Sequence, residues 1–150
     1  MKENSGPSHL PFWYRSKDPL QSAVEYISSI SPKFQWVGVY LLRGTVLELG
    51  PYIGAKTEHN RIPVGKGVCG RAVAENRDLN IADIHEETNY ISCSLETQSE
   101  LVVLIRDDKE RILGQIDIDS HSKDAFGKEE EQQVRKVAAI LGQTGSVLTS

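Results

Sequence analysis

Residues 101–120 constrain the fold of this chain more tightly than any other stretch. Leu101-Val102-Val103-Leu104-Ile105 is an unbroken apolar run rich in β-branched side chains, the pattern of a buried strand. Asp107-Asp108-Lys109-Glu110 interrupts it with charge. Ile112-Leu113-Gly114-Gln115-Ile116-Asp117-Ile118-Asp119-Ser120 then returns with isoleucines and aspartates alternating. A chain that must bury the first segment needs the second as its antiparallel partner, so the pair is predicted to be a β-hairpin.

A second hairpin is predicted upstream. Trp36-Val37-Gly38-Val39-Tyr40-Leu41-Leu42 has strand composition, Arg43-Gly44 supplies a turn, and Thr45-Val46-Leu47-Glu48-Leu49 returns. Helices are predicted at both ends. Asp18-Pro19 has the form of a cap followed by a first-turn proline, and Leu20, Val24, Ile27 and Ile30 lie on one helical face before Pro32 ends it. In residues 127–149, Val134, Val137, Ala138 and Leu141 repeat that spacing. Between the hairpins lie a short extended piece at Ile62, a glycine turn at 65–70, a short helix at 71–76 and a brief strand at Leu79-Asn80-Ile81-Ala82. Residues 84–98 are polar and irregular, a long loop of the kind that often moves over a site. Helices outside an antiparallel sheet make an α+β sandwich. The expected organisation is a flexible tail over 1–17 and one domain over 18–150.

Composition narrows the function. The chain has 150 residues, a net charge of −4 and no basic stripe, which argues against nucleic acid as a partner. No apolar run approaches the ~20 residues of a membrane span, and no basic-then-apolar leader is visible. Two cysteines are too few for a secreted disulfide framework, so a reducing cytoplasm is expected.

Those two cysteines are the first candidates for chemistry. Cys69 falls in the glycine turn and Cys93 in the polar loop, positions where exposure and charge tune a thiol. Asp117 and Asp119 share one face of their strand. That face is either solvated or the floor of a pocket in which two carboxylates repel until one holds a proton. Glu100 opens the neighbouring strand, either as an exposed end or in the same pocket. Trp36 and Tyr40 share a face, as core or as an aromatic wall. Gly65-x-Gly67-x-x-Gly70 lacks the parallel βαβ setting of a dinucleotide site. No metal or other cofactor is expected: the cysteines are not in zinc-ligand spacing, and His59 and His85 are scattered.

Taken together, Gly65-Lys66-Gly67-Val68-Cys69-Gly70, Cys93, Ser99-Glu100-Leu101-Val102-Val103 and Gly114-Gln115-Ile116-Asp117-Ile118-Asp119-Ser120 resemble a GAF domain, and more narrowly the free methionine-(R)-sulfoxide reductases. Trp36-Val37-Gly38-Val39-Tyr40 matches that family's early aromatic strand. The resemblance runs in order over roughly residues 18–145. It implies a six-stranded antiparallel sheet with the terminal helices on one face and a ligand pocket on the other. It also implies reduction of free L-methionine-(R)-sulfoxide with thioredoxin as reductant. In that scheme Cys93 attacks the sulfoxide sulfur and Cys69 resolves the resulting sulfenic acid to a disulfide. Glu100, Asp117 and Asp119 hold the substrate amine and assist protonation of the oxygen, and Trp36 and Tyr40 enclose the methyl group. A homodimer through the end helices is a further expectation. The chain departs from the fullest family pattern at His59, where a third cysteine is usual, and at Ser92 and Ser94 beside Cys93. The alternative is a non-catalytic GAF module that binds a small polar ligand or senses redox state.

Overall fold

The computed structural model describes residues 9–87 and 96–147. Both predicted hairpins form. The first joins β1 (Trp36–Arg43) to β2 (Val46–Ile53), with Gly44 at φ 64° in the turn, a conformation that favours glycine. The second joins β5 (Ser99–Arg106) to β6 (Ile112–Ser120). Its charged turn closes on Asp107, whose carboxylate accepts from the backbone N–H groups of Lys109 and Arg111 at 2.9 Å each. That side-chain mimic of a backbone turn explains why an aspartate begins it. Short strands β3 (Arg61–Pro63) and β4 (Leu79–Ile81) flank the hairpins. All six strands form one antiparallel sheet in the order β3-β2-β1-β6-β5-β4.

Strand alternation divides the sheet into two chemically distinct faces. Val37, Val39, Leu101, Val103, Ile116 and Ile118 point to one side and join a core with α1 (Pro19–Ile30) and α3 (Lys128–Gln143). Trp36, Tyr40, Val102 and Leu104 point to the other, where α2 (Gly67–Glu75) covers them with Val68, Cys69 and Ala72. The terminal helices therefore lie on one face, as expected, and α2 lies on the other.

Several details differ from expectation. The glycine turn and the short helix are one element. Helix α2 starts at Gly67 rather than after Gly70, and Cys69 is helical and buried, not a loop thiol. Glycines lower helix propensity, but here packing overrides it: a Cβ at Gly70 would stand 2.5 Å from the Pro63 carbonyl oxygen. Asp18 precedes Pro19 at the start of α1 but makes no side-chain cap bond. The ordered domain also begins ahead of residue 18. Trp13 is in the core and stacks on Tyr26 with centroids 5.6 Å apart, and Arg15 pairs with Glu25 at 2.9 Å. The loop over 84–98 opens with a 3-10 turn, Ile84–Glu86, and an ion pair from Arg71 of α2 to Glu87 anchors its start. Residues 88–95, with Ser92, Cys93 and Ser94, lie outside the described residues, as does the expected movement of that loop. No described helix is long and apolar enough to cross a membrane.

Candidate functional site

The site is assembled by register. On β6, Gln115, Asp117 and Asp119 occupy alternate positions and so share the face opposite Ile116 and Ile118. Antiparallel pairing sets Glu100 of β5 against Asp119, and Trp36, Gly38 and Tyr40 of β1 against Asp119, Asp117 and Gln115. Helix α2 then lays Cys69 over them. Glu100 and Asp119 are each 2% exposed and Asp117 is 1% exposed. The solvated-face reading of the aspartates is therefore excluded.

Cys69 is a free thiol. Its Sγ donates to Glu100 Oε2 across 3.8 Å, and one ligand atom from each of Cys69, Glu100 and Asp117 lies within 4.8 Å of the others. Gln115 fixes the helix above the strands, its Nε2 donating to the Cys69 carbonyl at 3.0 Å. The aromatic residues frame this cluster. The Trp36 indole lies over Gly38, where a Cβ would overlap the ring. Its Nε1 donates to Ala55 O at 3.0 Å and its face stacks on Tyr52 at 5.4 Å. The Tyr40 hydroxyl donates to the His59 carbonyl at 2.9 Å, which ties the segment carrying His59 to the site.

Burial governs the electrostatics. Desolvation raises the Asp117 carboxyl above its usual range, while hydrogen bonds with Glu100 and Cys69 act in the opposite direction. The Cys69 thiol is pushed well up, first by burial and then by the charges of Asp117, Glu100 and Asp119. This reverses the expectation attached to a loop cysteine: at neutral pH Cys69 rests as a thiol. A cavity of about 10 Å³, room for roughly one water, is lined by Cys69, Asp117, Tyr40, His59, Ile62 and Lys66 among others. The larger surface groove, about 520 Å³, lies elsewhere, lined by residues that include Arg77, Asp78, Arg106 and Arg135. Volume alone would select that groove. The buried carboxyl group of Asp117 selects the smaller cavity, because charged groups out of water need a partner of opposite sign.

The structure thus brings together Cys69, Glu100, Asp117, Asp119, Trp36 and Tyr40, and leaves Cys93 outside the described residues. Gln115 and Tyr52 were missed by sequence reasoning. Gln115 is in phase with the two aspartates, a signal that was available. Tyr52 meets Trp36 only through the β1–β2 pairing.

A six-stranded antiparallel sheet flanked by helices is the architecture of a GAF domain. The GAF domain model matches residues 20–144, and the chain belongs to that family. Within it, the chain is 43% identical over 106 residues to the free methionine-R-sulfoxide reductase of Escherichia coli (strain K12), covering 71% of this chain and 63% of that protein. The matched stretch is thus less than two thirds of that relative's length. It is 38% identical over 124 residues to protein ZMO0507 of Zymomonas mobilis, covering 83% of this chain and 76% of that one. Among solved structures, the type II free methionine-R-sulfoxide reductase of Thermoplasma acidophilum superposes with a TM-score of 0.83 at 36% identity, covering 89% of this chain and 93% of that one. A free methionine-R-sulfoxide reductase of Neisseria meningitidis, solved with its substrate, gives 0.80 at 29% identity, over 89% and 79% of the two chains.

Proposed function

We propose that this protein reduces free L-methionine-(R)-sulfoxide to methionine. The observation that carries this reading is the buried cluster of three carboxylates facing a thiol, in a chain similar to proteins named for that reaction. Buried carboxylates are costly without a cation, and the ammonium group of a free amino acid is such a cation. In this reading Glu100, Asp117 and Asp119 bind the ammonium, and a carboxyl that still holds its proton gives it to the sulfoxide oxygen. Trp36 and Tyr40 enclose the methyl group.

Cys93 attacks the sulfoxide sulfur, the oxygen passes to the cysteine as a sulfenic acid, and methionine leaves. Cys69 then attacks the Cys93 sulfenic acid, forming a disulfide and releasing water. A dithiol protein of the thioredoxin class reduces the disulfide and restores both thiols. Cys69 must give up its proton in the second step, and the adjacent carboxylates are the bases within reach. Such a cycle requires a reducing compartment, in keeping with the cytoplasm.

The test follows methionine formation and, separately, thioredoxin-coupled NADPH oxidation. Cys93→Ser should lower both by more than about 10³-fold, as expected for loss of a nucleophile. Cys69→Ser should still release one equivalent of methionine while losing thioredoxin-dependent turnover. Full turnover by Cys93→Ser, or none by the wild type, would refute the reading.

A further inference from the structure

The same cluster has the geometry of a metal site, which sequence spacing does not reveal because its ligands come from α2, β5 and β6. Zinc bound tetrahedrally, with Zn–S near 2.3 Å and Zn–O near 2.0–2.2 Å, sets sulfur and oxygen ligands about 3.5 Å apart. Cys69 Sγ and Glu100 Oε2 already stand 3.8 Å apart, and the Asp117 ligand atom is within 4.8 Å of both. Approaches of a few tenths of an ångström to about 1.3 Å between ligand atoms would close the set.

A second observation points to a ligand. Gln115 is fully buried on the same strand face as Asp117. Its Nε2 is engaged with the Cys69 carbonyl, but its Oε1 has no hydrogen-bond partner among the described residues. Asp117 Oδ1 is likewise without one. Buried acceptors left in this state cost free energy until a donor or cation reaches them.

We infer that Cys69, Glu100 and Asp117 form a binding site for one zinc ion, with Gln115 Oε1 or a water as the fourth ligand. A thiolate with two carboxylates suits a borderline-soft divalent cation better than magnesium or calcium, which take oxygen ligands alone. On binding, a zinc–sulfur bond replaces the S–H bond of Cys69 and the proton leaves to the buffer. If the reductase reading holds, zinc and the substrate ammonium occupy the same carboxylates and exclude one another, and zinc keeps Cys69 from resolving a sulfenic acid. The metal site itself does not depend on that reading.

The test is a titration of the reduced, full-length protein with Co²⁺, followed by Zn²⁺, with no sulfoxide present. One Co²⁺ should bind with a sulfur-to-cobalt charge-transfer band, and Zn²⁺ should abolish the band. Cys69→Ser should eliminate the band and Cys93→Ser should retain it. Glu100→Gln and Asp117→Asn should each weaken binding by roughly 10-fold or more. X-ray absorption of the zinc-loaded wild type needs no variant and should give one sulfur with three oxygen ligands. Absence of the band, its survival in Cys69→Ser, its loss in Cys93→Ser, or a zinc shell with no sulfur or two would overturn the inference.

Discussion

Asp117 is held under opposing requirements. The proposed binding of a cation calls for a carboxylate beside Cys69, Glu100 and Asp119, while burial disfavours the charge and raises its pKa. Between the ordinary carboxylate value near about 3.9, where the unfolded chain sheds this proton, and the raised value in the folded chain, the folded chain still retains it. The folded state then binds more protons, so stability falls as pH rises. Asp117→Asn removes that cost. In thermal melts of the ligand-free protein, the variant should melt above the wild type at pH 7, with the margin shrinking toward pH 4. Each kcal/mol recovered should appear as about 2–4 °C. A lower melting temperature at pH 7 would show that burial does not dominate at Asp117. Ligand binding should fall in the same variant, the usual exchange of function for stability at a charged site. At this scale the sequence was informative: strand alternation put Asp117 and Asp119 on one face. It left open whether that face was wet, because only a covering helix decides burial.

Helix α2 is the element that decides it. The sequence reads as a glycine turn because glycines at 65, 67 and 70 oppose helix formation. The contact that makes Gly70 necessary, the Pro63 carbonyl at the end of β3, is tertiary. Gly70→Ala should therefore destabilise despite the better helix propensity of alanine. Overpacking typically costs about 1–3 kcal/mol, against about 1 kcal/mol gained in propensity. Denaturant melts should give a net loss, and the site should loosen because Cys69 precedes Gly70. A gain in stability would show that the helix simply shifts. Sheet elements were more legible than α2, since period-two patterns and turn residues are local signals. On β5 and β6 the expected pairing and the observed register agree.

For the whole molecule, the sheet separates two tasks. One face carries an apolar core with α1 and α3, and the other carries the polar cluster under α2. The core extends to Trp13, which composition had assigned to a loose tail. Trp13→Ala should cost about 3–5 kcal/mol, as for other buried aromatics, and lower the melting temperature without changing affinity for a site ligand. A variant as stable as the wild type would return residues before 18 to the status of a tail. Phe12 nearby is 88% exposed, so aromatic character alone did not distinguish the anchoring residue from its neighbour.

The sequence by itself determined the two hairpins, the terminal helices and the in-phase acids of β6, because those features follow from local periodicity and turn chemistry. Its motif order also determined the family. Only the tertiary structure decided that the acids are buried, that Cys69 is a helical thiol facing them, and that Glu100 and Gln115 complete the cluster. Those facts arise from strand register and helix docking between residues distant in the chain, where desolvation and proximity set the chemistry and no local pattern records them.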